Sequence, residues 1–125
     1  MDYRLELIPI PVTDVDRAKE FYAGRLGFTV DLDFRPNEAF RVVQLTPPGS
    51  RCSIAVGVGV VHTAPGSVQG LHLVVDDIRA ARAELVARGV EVAEVDDMSA
   101  PGKPTVSYAA FTDPDGNGWT LQQLP

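Results

Sequence analysis

Apolar positions along the first half of the chain predict one helix set between strands. The run LELIPIPV (5–12) is typical of a strand, and its two prolines confine it to a sheet edge. In TDVDRAKEFYAGRLGF (13–28) apolar side chains recur at helical spacing, with Thr13 or Asp14 as the N-cap and Gly27 as the C-cap. The runs FTVDLDF, AFRVVQL and CSIAVGV then predict three strands, separated by the turn-rich segments RPNE and TPPGSR.

The second half repeats this order of elements. LHLVV predicts a strand, DDIRAARAELVARG predicts a helix that ends at Gly89, and VEVAEV, VSYAAF and GWTLQQL predict three further strands. The predicted order is therefore β-α-β-β-β, followed by the same order again. We expect a single domain over residues 1–125, built of module one (about 4–60), a linker (61–69) and module two (about 70–124).

Individual residues support a duplication of one module. When the two predicted helices are superimposed, four residues of the first fall on identical residues of the second, and the glycines that end the helices also coincide after a shift of one residue. The turn Leu45–Gly49 resembles the later turn Phe111–Gly116, which has Asp115 as an insertion. The identical residues are Val12, Asp14, Ala18 and Arg25 in the first helix region, and Val75, Asp77, Ala81 and Arg88 in the second.

Composition and charge exclude several classes of protein. The 125 residues are 45% hydrophobic and 22% charged, as in a folded domain with a core of its own. The net charge of −6 is unsuited to nucleic acid or an anionic membrane surface, and neither a membrane-spanning run nor a signal sequence is predicted. One cysteine excludes an intramolecular disulfide and agrees with a cytoplasmic location.

The phrases IPVTDVDRAKEFYAGRLGF and AAFTDPDGNGWTLQQL resemble the vicinal oxygen chelate superfamily of glyoxalases, bleomycin-resistance proteins and extradiol dioxygenases. They contain its V-x-D helix start, its FY pair, its L-G-F helix exit and its D-P-D-G-N hairpin. The resemblance implies an α+β fold in which two tandem βαβββ modules form a cupped mixed sheet with helices outside, in a homodimer. In this superfamily the two modules of one cup come from one chain or from two partners.

The resemblance also implies where a metal would bind. In metal-dependent relatives, His, Gln or Glu side chains occupy four pseudo-symmetric positions in the cup. The helix-start aspartates place two of these positions at Leu7 and Gly70, and the last hairpin places a third at Thr120. The repeat alignment assigns the fourth to Ser53. Divalent metals at such sites need imidazole or carboxylate donors, so we expect no metal and no cofactor.

Strand alternation extends the cup lining from these positions. His72 points to the same side as Gly70, where it is a displaced metal ligand, a catalytic acid or base, a hydrogen-bonding group, or a wall residue without chemistry. Phe111 and Trp119 are expected to face the helices, and His62 to be exposed in the linker. The predicted ligand-binding residues are Leu7, Pro9, Phe40, Val42, Gln44, Ser53, Gly70, His72, Tyr108, Thr120 and Gln122.

An apolar concavity with a few polar groups is typical of a small-molecule site. The sequence therefore favours a metal-independent homodimeric protein that sequesters a bulky aromatic antibiotic or natural product. One alternative is a glyoxalase-type lyase or isomerase, or a dioxygenase, with an atypical metal site, whose chemistry His72 would carry with Tyr108 or Gln122 nearby. Another is a metal-free enzyme that tailors a natural product, with His72 as its only candidate catalytic residue.

Overall fold

A computed structural model describes all 125 residues as eight strands and two helices. The strands are β1 (Leu7–Pro9), β2 (Thr29–Asn37), β3 (Phe40–Thr46), β4 (Ser53–Val58), β5 (Leu71–Val74), β6 (Asp96–Met98), β7 (Val106–Thr112) and β8 (Gly118–Gln123). The helices are α1 (Val15–Lys19), which a π-helical segment (Glu20–Arg25) extends, and α2 (Ile78–Ala87). Neither helix has the length and apolar character needed to cross a membrane.

The strands form two four-stranded sheets with the same topology. Sheet one has the order β1-β4-β3-β2, and sheet two has the order β5-β8-β7-β6. In each sheet the first pair is parallel and the other two pairs are antiparallel. The predicted α+β fold with two βαβββ modules is confirmed. β1 is shorter than predicted because Pro9 and Pro11 have no N–H group to donate to a ladder.

The predicted helix ends are also confirmed. Asp14 and Asp77 are the N-caps, and the carboxylate of each accepts a hydrogen bond from a backbone N–H of the first turn. Gly27 and Gly89 follow the two helices with φ values of 78° and 85°, a left-handed conformation in which a Cβ atom would be strained.

Two arginines at equivalent positions of the repeat stabilise each other's helix. Arg25 Nη1 donates to the carbonyl oxygens of Arg88, at 3.4 Å, and of Gly89, at 3.2 Å. In return, Arg88 Nη1 donates to the carbonyl oxygen of Arg25, at 3.2 Å. The last carbonyls of a helix lack partners within the helix and lie at the negative end of its dipole. Each guanidinium therefore satisfies carbonyl groups at the helix end of the other module.

We expect Arg25→Ala and Arg88→Ala each to lower the free energy of unfolding by about 1 kcal/mol, because each removes a donor from helix-end carbonyls. The double variant should lose less than the sum of the two, since both sets of hydrogen bonds join the same two helix ends and are therefore coupled. Urea denaturation of the four proteins measures both effects. Arg51→Ala is the control, because Arg51 is exposed and makes no ion pair. Additive losses, or losses no larger than the control's, would contradict the mutual capping.

One core joins the helices to both sheets. It contains the helix-facing side chains of sheet one, such as Val43 and Ile54, and those of sheet two, such as Phe111 and Trp119. The rings of Phe111 and Trp119 stack with a centroid distance of 6.4 Å, which confirms that these aromatic residues face the helices. Because both sheets turn one face to this shared core, their other faces point away from it.

The strand predicted for VEVAEV is wrong, since β6 begins only after this segment. Val90 and Val92 are instead buried in the core. A single backbone hydrogen bond, from Ala93 N–H to the Ala110 carbonyl at 2.8 Å, joins the segment to β7. The guanidinium of Arg82 donates hydrogen bonds to the carbonyl oxygens of Val92 and Ala93. Burial of the two valines and these bonds from Arg82 replace the strand pairing that the sequence predicted.

A buried carboxylate connects the D-P-D-G-N hairpin to α1's π-helical extension. Asp113 is 4% exposed, and its Oδ2 accepts hydrogen bonds from the Tyr22 hydroxyl at 2.7 Å and from Asn117 Nδ2 at 2.8 Å. Its Oδ1 accepts the backbone N–H groups of Asp115 and Asn117, both at 2.9 Å. Trp119 Nε1 donates in turn to the Tyr22 hydroxyl at 3.0 Å. The FY pair and the hairpin therefore belong to one polar network between the modules.

Burial and the adjacent Asp113 charge raise the pKa of Tyr22 well above its ordinary value. The phenol stays protonated, so it can donate to Asp113 while it accepts the hydrogen bond of Trp119.

Candidate functional site

Each sheet has an open face, which we define as the face opposite the shared core. On sheet one, Leu7 lies beside Ser53, and Pro9 beside Ala55. Ala55 in turn lies beside Gln44 on β3. Strand alternation places Val42 and Phe40 on the same side as Gln44. The open face of sheet one therefore brings together every residue that the sequence predicted for module one.

The open face of sheet two collects the predicted residues of module two. His72 lies beside Thr120, and Tyr108 lies beside Gln122. Gly70 directly precedes β5, in a left-handed conformation with φ of 81°. The rings of His72 and Tyr108 meet edge to face, with centroids 6.1 Å apart.

A single chain does not enclose both open faces in one cavity. One cavity, of about 860 Å³, lies along the end of sheet two and contacts Gly70 and Thr120. A second, of about 590 Å³, runs beside His72 toward the turn between β3 and β4. Neither cavity is lined by Gln44 or by its neighbours on the open face of sheet one. Because the helices and both sheets share one core, the two open faces of a single chain do not face each other.

Large apolar side chains remain exposed on both open faces. Leu32 and Phe34 on β2 are 45% and 52% exposed, and Val74 on β5 is 60% exposed. Leu32 lies beside Gln44, and Phe34 lies beside Val42, so these side chains continue the predicted lining. Contiguous exposed apolar surface of this kind marks a site for a ligand or for another protein surface.

Strand register corrects one of the four positions assigned from the repeat. Leu45 pairs with Ile54, and Phe111 pairs with Trp119. Since Leu45 corresponds to Phe111, the residue that corresponds to Thr120 is Ala55 rather than Ser53. The turn after Gly49 is longer than the turn after Gly116, and this difference displaced the alignment.

The four equivalent positions are therefore Leu7, Ala55, Gly70 and Thr120, whose side chains offer one hydroxyl between them. Elsewhere in the chain, no three His, Cys, Asp or Glu side chains are grouped as metal ligands would be. His62 is exposed in the chain segment between β4 and β5, as predicted.

His72 is oriented by the backbone just before β5. Its Nδ1 lies 2.8 Å from the carbonyl oxygen of Gly70. A carbonyl can only accept, so Nδ1 carries the hydrogen and the neutral ring leaves Nε2 as an acceptor. His72 can therefore accept a hydrogen bond, or a proton, from a molecule on the open face of sheet two.

Sequence reasoning missed two polar residues on the open face of sheet one, Asp31 and Thr46. The register of β2 against β3 shifts between Val30 and Leu32, so Asp31 is the extra residue of a bulge. Its carboxylate accepts a hydrogen bond from the Thr46 hydroxyl. Thr46 Oγ1 lies 2.6 Å from Ser53 Oγ, so the three side chains form a chain across the sheet.

Asp33, two residues further on, lies on the side of the helices. Hydrogen bonds from Arg41 and Lys19 hold the pKa of Asp33 well below its usual range. Regular alternation would put Asp31 and Asp33 on one face, and only the bulge separates them. The sequence FTVDLDF carries no signal that distinguishes the two arrangements.

Comparison with known proteins identifies similar chains. Residues 4–121 match the model of the glyoxalase/bleomycin resistance protein/dioxygenase superfamily. TnmS3, an antibiotic binding protein from Streptomyces sp. CB03234, is 34% identical with a TM-score of 0.81, and the match covers 99% of this chain and 98% of that one. A glyoxalase/bleomycin resistance protein from the same organism is 35% identical with a TM-score of 0.76, over 96% and 100% of the two chains.

A member of the same superfamily from Sphaerobacter thermophilus DSM 20745 is 28% identical with a TM-score of 0.81, over 98% of both chains. No curated protein matches this sequence.

Proposed function

The chain belongs to the glyoxalase/bleomycin resistance protein/dioxygenase superfamily, and we propose that it sequesters a bulky aromatic antibiotic or natural product without a metal. The observation that carries this proposal is the pair of open faces, each of which combines exposed apolar side chains with hydrogen-bonding groups on one surface of its sheet. Its similarity over nearly the whole chain to TnmS3, an antibiotic binding protein, supports a binding role. Binding would be stoichiometric, so protection would depend on affinity and protein concentration.

We further propose that the working form is a homodimer in which each cup is shared. The open faces point away from the common core of one chain, and both expose large apolar side chains. A twofold axis would set the open face of sheet one against the open face of sheet two from the second copy. This arrangement creates two equivalent cups and covers the exposed apolar surface of both chains.

Within such a cup, the predicted ligand-binding residues come from both chains. One copy contributes the open face of sheet one, which is largely apolar and carries the polar side chains of Gln44 and Ser53. The other copy contributes the open face of sheet two, with His72, Tyr108 and Gln122. Aromatic and aliphatic side chains would enclose the ligand body, while the few polar groups would fix its orientation.

Sedimentation velocity and isothermal titration calorimetry test this proposal together. At tens of micromolar protein we expect a dimer, and one aromatic antibiotic bound per chain with a Kd of about 10 μM or lower. Treatment with EDTA should leave the affinity unchanged. A monomer at this concentration, or no heat with any member of an aromatic antibiotic panel, would refute the proposal. Affinity that returns only with added Zn, Ni, Fe or Mn would refute metal independence.

A further inference from the structure

We propose that the ligand presents a cationic or hydrogen-bond-donating group beside its aromatic body, and that Asp31 receives this group. The inference rests on the proposed binding function and specifies the chemistry of its ligand. It follows from how the protons are shared among Asp31, Thr46 and Ser53 on the open face of sheet one.

The hydroxyl protons of Thr46 and Ser53 are both used in hydrogen bonds among these three side chains. The Asp31 carboxylate accepts, so Thr46 spends its only hydroxyl proton on Asp31. The contact of 2.6 Å between Thr46 Oγ1 and Ser53 Oγ must then use the proton of Ser53. Only oxygen lone pairs are left for a ligand, and the second carboxylate oxygen of Asp31 has no partner among the protein's hydrogen bonds. The three side chains therefore favour a donor over an acceptor.

The bulge places this carboxylate at the edge of an apolar floor. Asp31 is followed by Leu32 and Phe34, which share its face and are largely exposed in the single chain. A carboxylate that becomes enclosed beside apolar side chains interacts with a cation more strongly than a carboxylate in water does. An aromatic ligand that covers Leu32 and Phe34 would bring a neighbouring ammonium or hydroxyl group to Asp31.

No basic side chain neutralises this carboxylate. Of the lysines and arginines, only Arg35 and Arg41 lie on strands. Arg41 is turned toward Asp33 and Asp16 on the helix side, and Arg35 pairs with Glu38 in the β2–β3 turn. The other basic residues lie on helices, turns or the chain's first residues.

The open face of sheet two has the same bias toward acceptors. Asp96 on β6 lies beside Tyr108, on the same face, and makes no ion pair. His72 offers Nε2 as an acceptor in its neutral form. The strands that form the two open faces therefore present two carboxylates without ion pairs, while the arginines on these strands are already paired with other carboxylates. This charge distribution selects against anionic ligands.

Two three-ring probes of opposite charge test the inference on the full-length protein. 9-Aminoacridine is a cation at neutral pH, and anthracene-9-carboxylate is an anion of nearly the same shape. We expect the wild type to bind the cation at least about tenfold more tightly. Asp31→Asn should weaken binding of the cation by about tenfold and leave binding of the anion unchanged or tighter, because the amide adds a donor at the same place.

Glu20→Gln is the matched control, since it removes one carboxylate from the helix side, where Glu20 pairs only with Arg25. It should change neither affinity by more than about twofold. If the anion binds as tightly as the cation, or if Asp31→Asn weakens both probes equally, the inference is wrong while the binding function stands. If the wild type binds neither probe, the proposed aromatic-binding function is refuted, and the inference with it.

Discussion

Asp113→Ala should lower the free energy of unfolding by about 3–5 kcal/mol, the largest loss expected from a single substitution outside the cup. The change removes the common acceptor of the Tyr22 hydroxyl, Asn117 Nδ2 and two backbone N–H groups. All of these donors lie in or next to the core, where water cannot fully replace the carboxylate. Since domains are stable by only about 5–15 kcal/mol, the loss approaches the whole stability of the fold.

Two gentler variants separate the contributions within this network. Tyr22→Phe should cost about 1–3 kcal/mol, because it removes one donor to Asp113 and leaves Trp119 Nε1 without an acceptor. Asp113→Asn should lie between Tyr22→Phe and Asp113→Ala, because the amide keeps one acceptor but sets an NH₂ group against donors.

Urea denaturation followed by circular dichroism and by the fluorescence of the single tryptophan, Trp119, measures these losses. Asp76→Ala is the control, since Asp76 is exposed and makes no ion pair, and it should shift stability by less than about 0.5 kcal/mol. If the Asp113→Ala protein were as stable as this control, the network around Asp113 would contribute nothing to the free energy of unfolding.

Local rules were sufficient to predict most elements from the sequence. Asp14, one of the two predicted N-cap candidates, caps the first helix, and Asp77 caps the second in the same way, because capping depends on one side chain and the next three residues. The duplication was also correct, and the mutual capping by Arg25 and Arg88 gives a physical reason why both modules have an arginine there. Alternation along regular strands likewise placed the predicted residues on the two open faces.

Predictions failed where strand geometry departs from the regular pattern. Because of the bulge at Asp31, the alternation of side chains between the two faces of the sheet shifts by one residue along β2. No residue type in FTVDLDF indicates this shift. The repeat alignment matched Ser53, rather than Ala55, to Thr120 because the turns before these strands differ in length between the modules. The segment around Val90 and Val92 is as apolar as a strand, but burial in the core outweighed pairing with β7.

The sequence did not predict how the two modules pack. It therefore left open whether a cup is formed within one chain or between two chains. Both arrangements use the same amphipathic helices and the same strand faces, so the hydrophobic pattern is identical in each. The choice depends on contacts between distant residues, such as Tyr22 with Asp113 and Trp119. Those contacts bind the helix-facing sides of both sheets into one core, which leaves the open faces on opposite sides of the chain.

A subunit-mixing experiment should have the largest effect on binding. Gln44 and Ala110 occupy equivalent positions on the two open faces, beside Ala55 and Thr120 respectively. A tryptophan at either position would fill the cup with a side chain of about 150–250 Å². We expect Gln44→Trp and Ala110→Trp each to lower the binding capacity of its homodimer by more than about tenfold, because every shared cup would contain one blocked face.

Refolding the two variants together in equal amounts should restore roughly one quarter of the wild-type binding sites. Random pairing makes about half of the dimers mixed, and each mixed dimer has one cup with two blocked faces and one cup with none. Calorimetric titration of the mixture, with each variant refolded alone as the control and sedimentation velocity to verify dimers, counts the sites. If each cup were built within one chain, mixing would restore nothing, because every chain would keep its own tryptophan in its own cup.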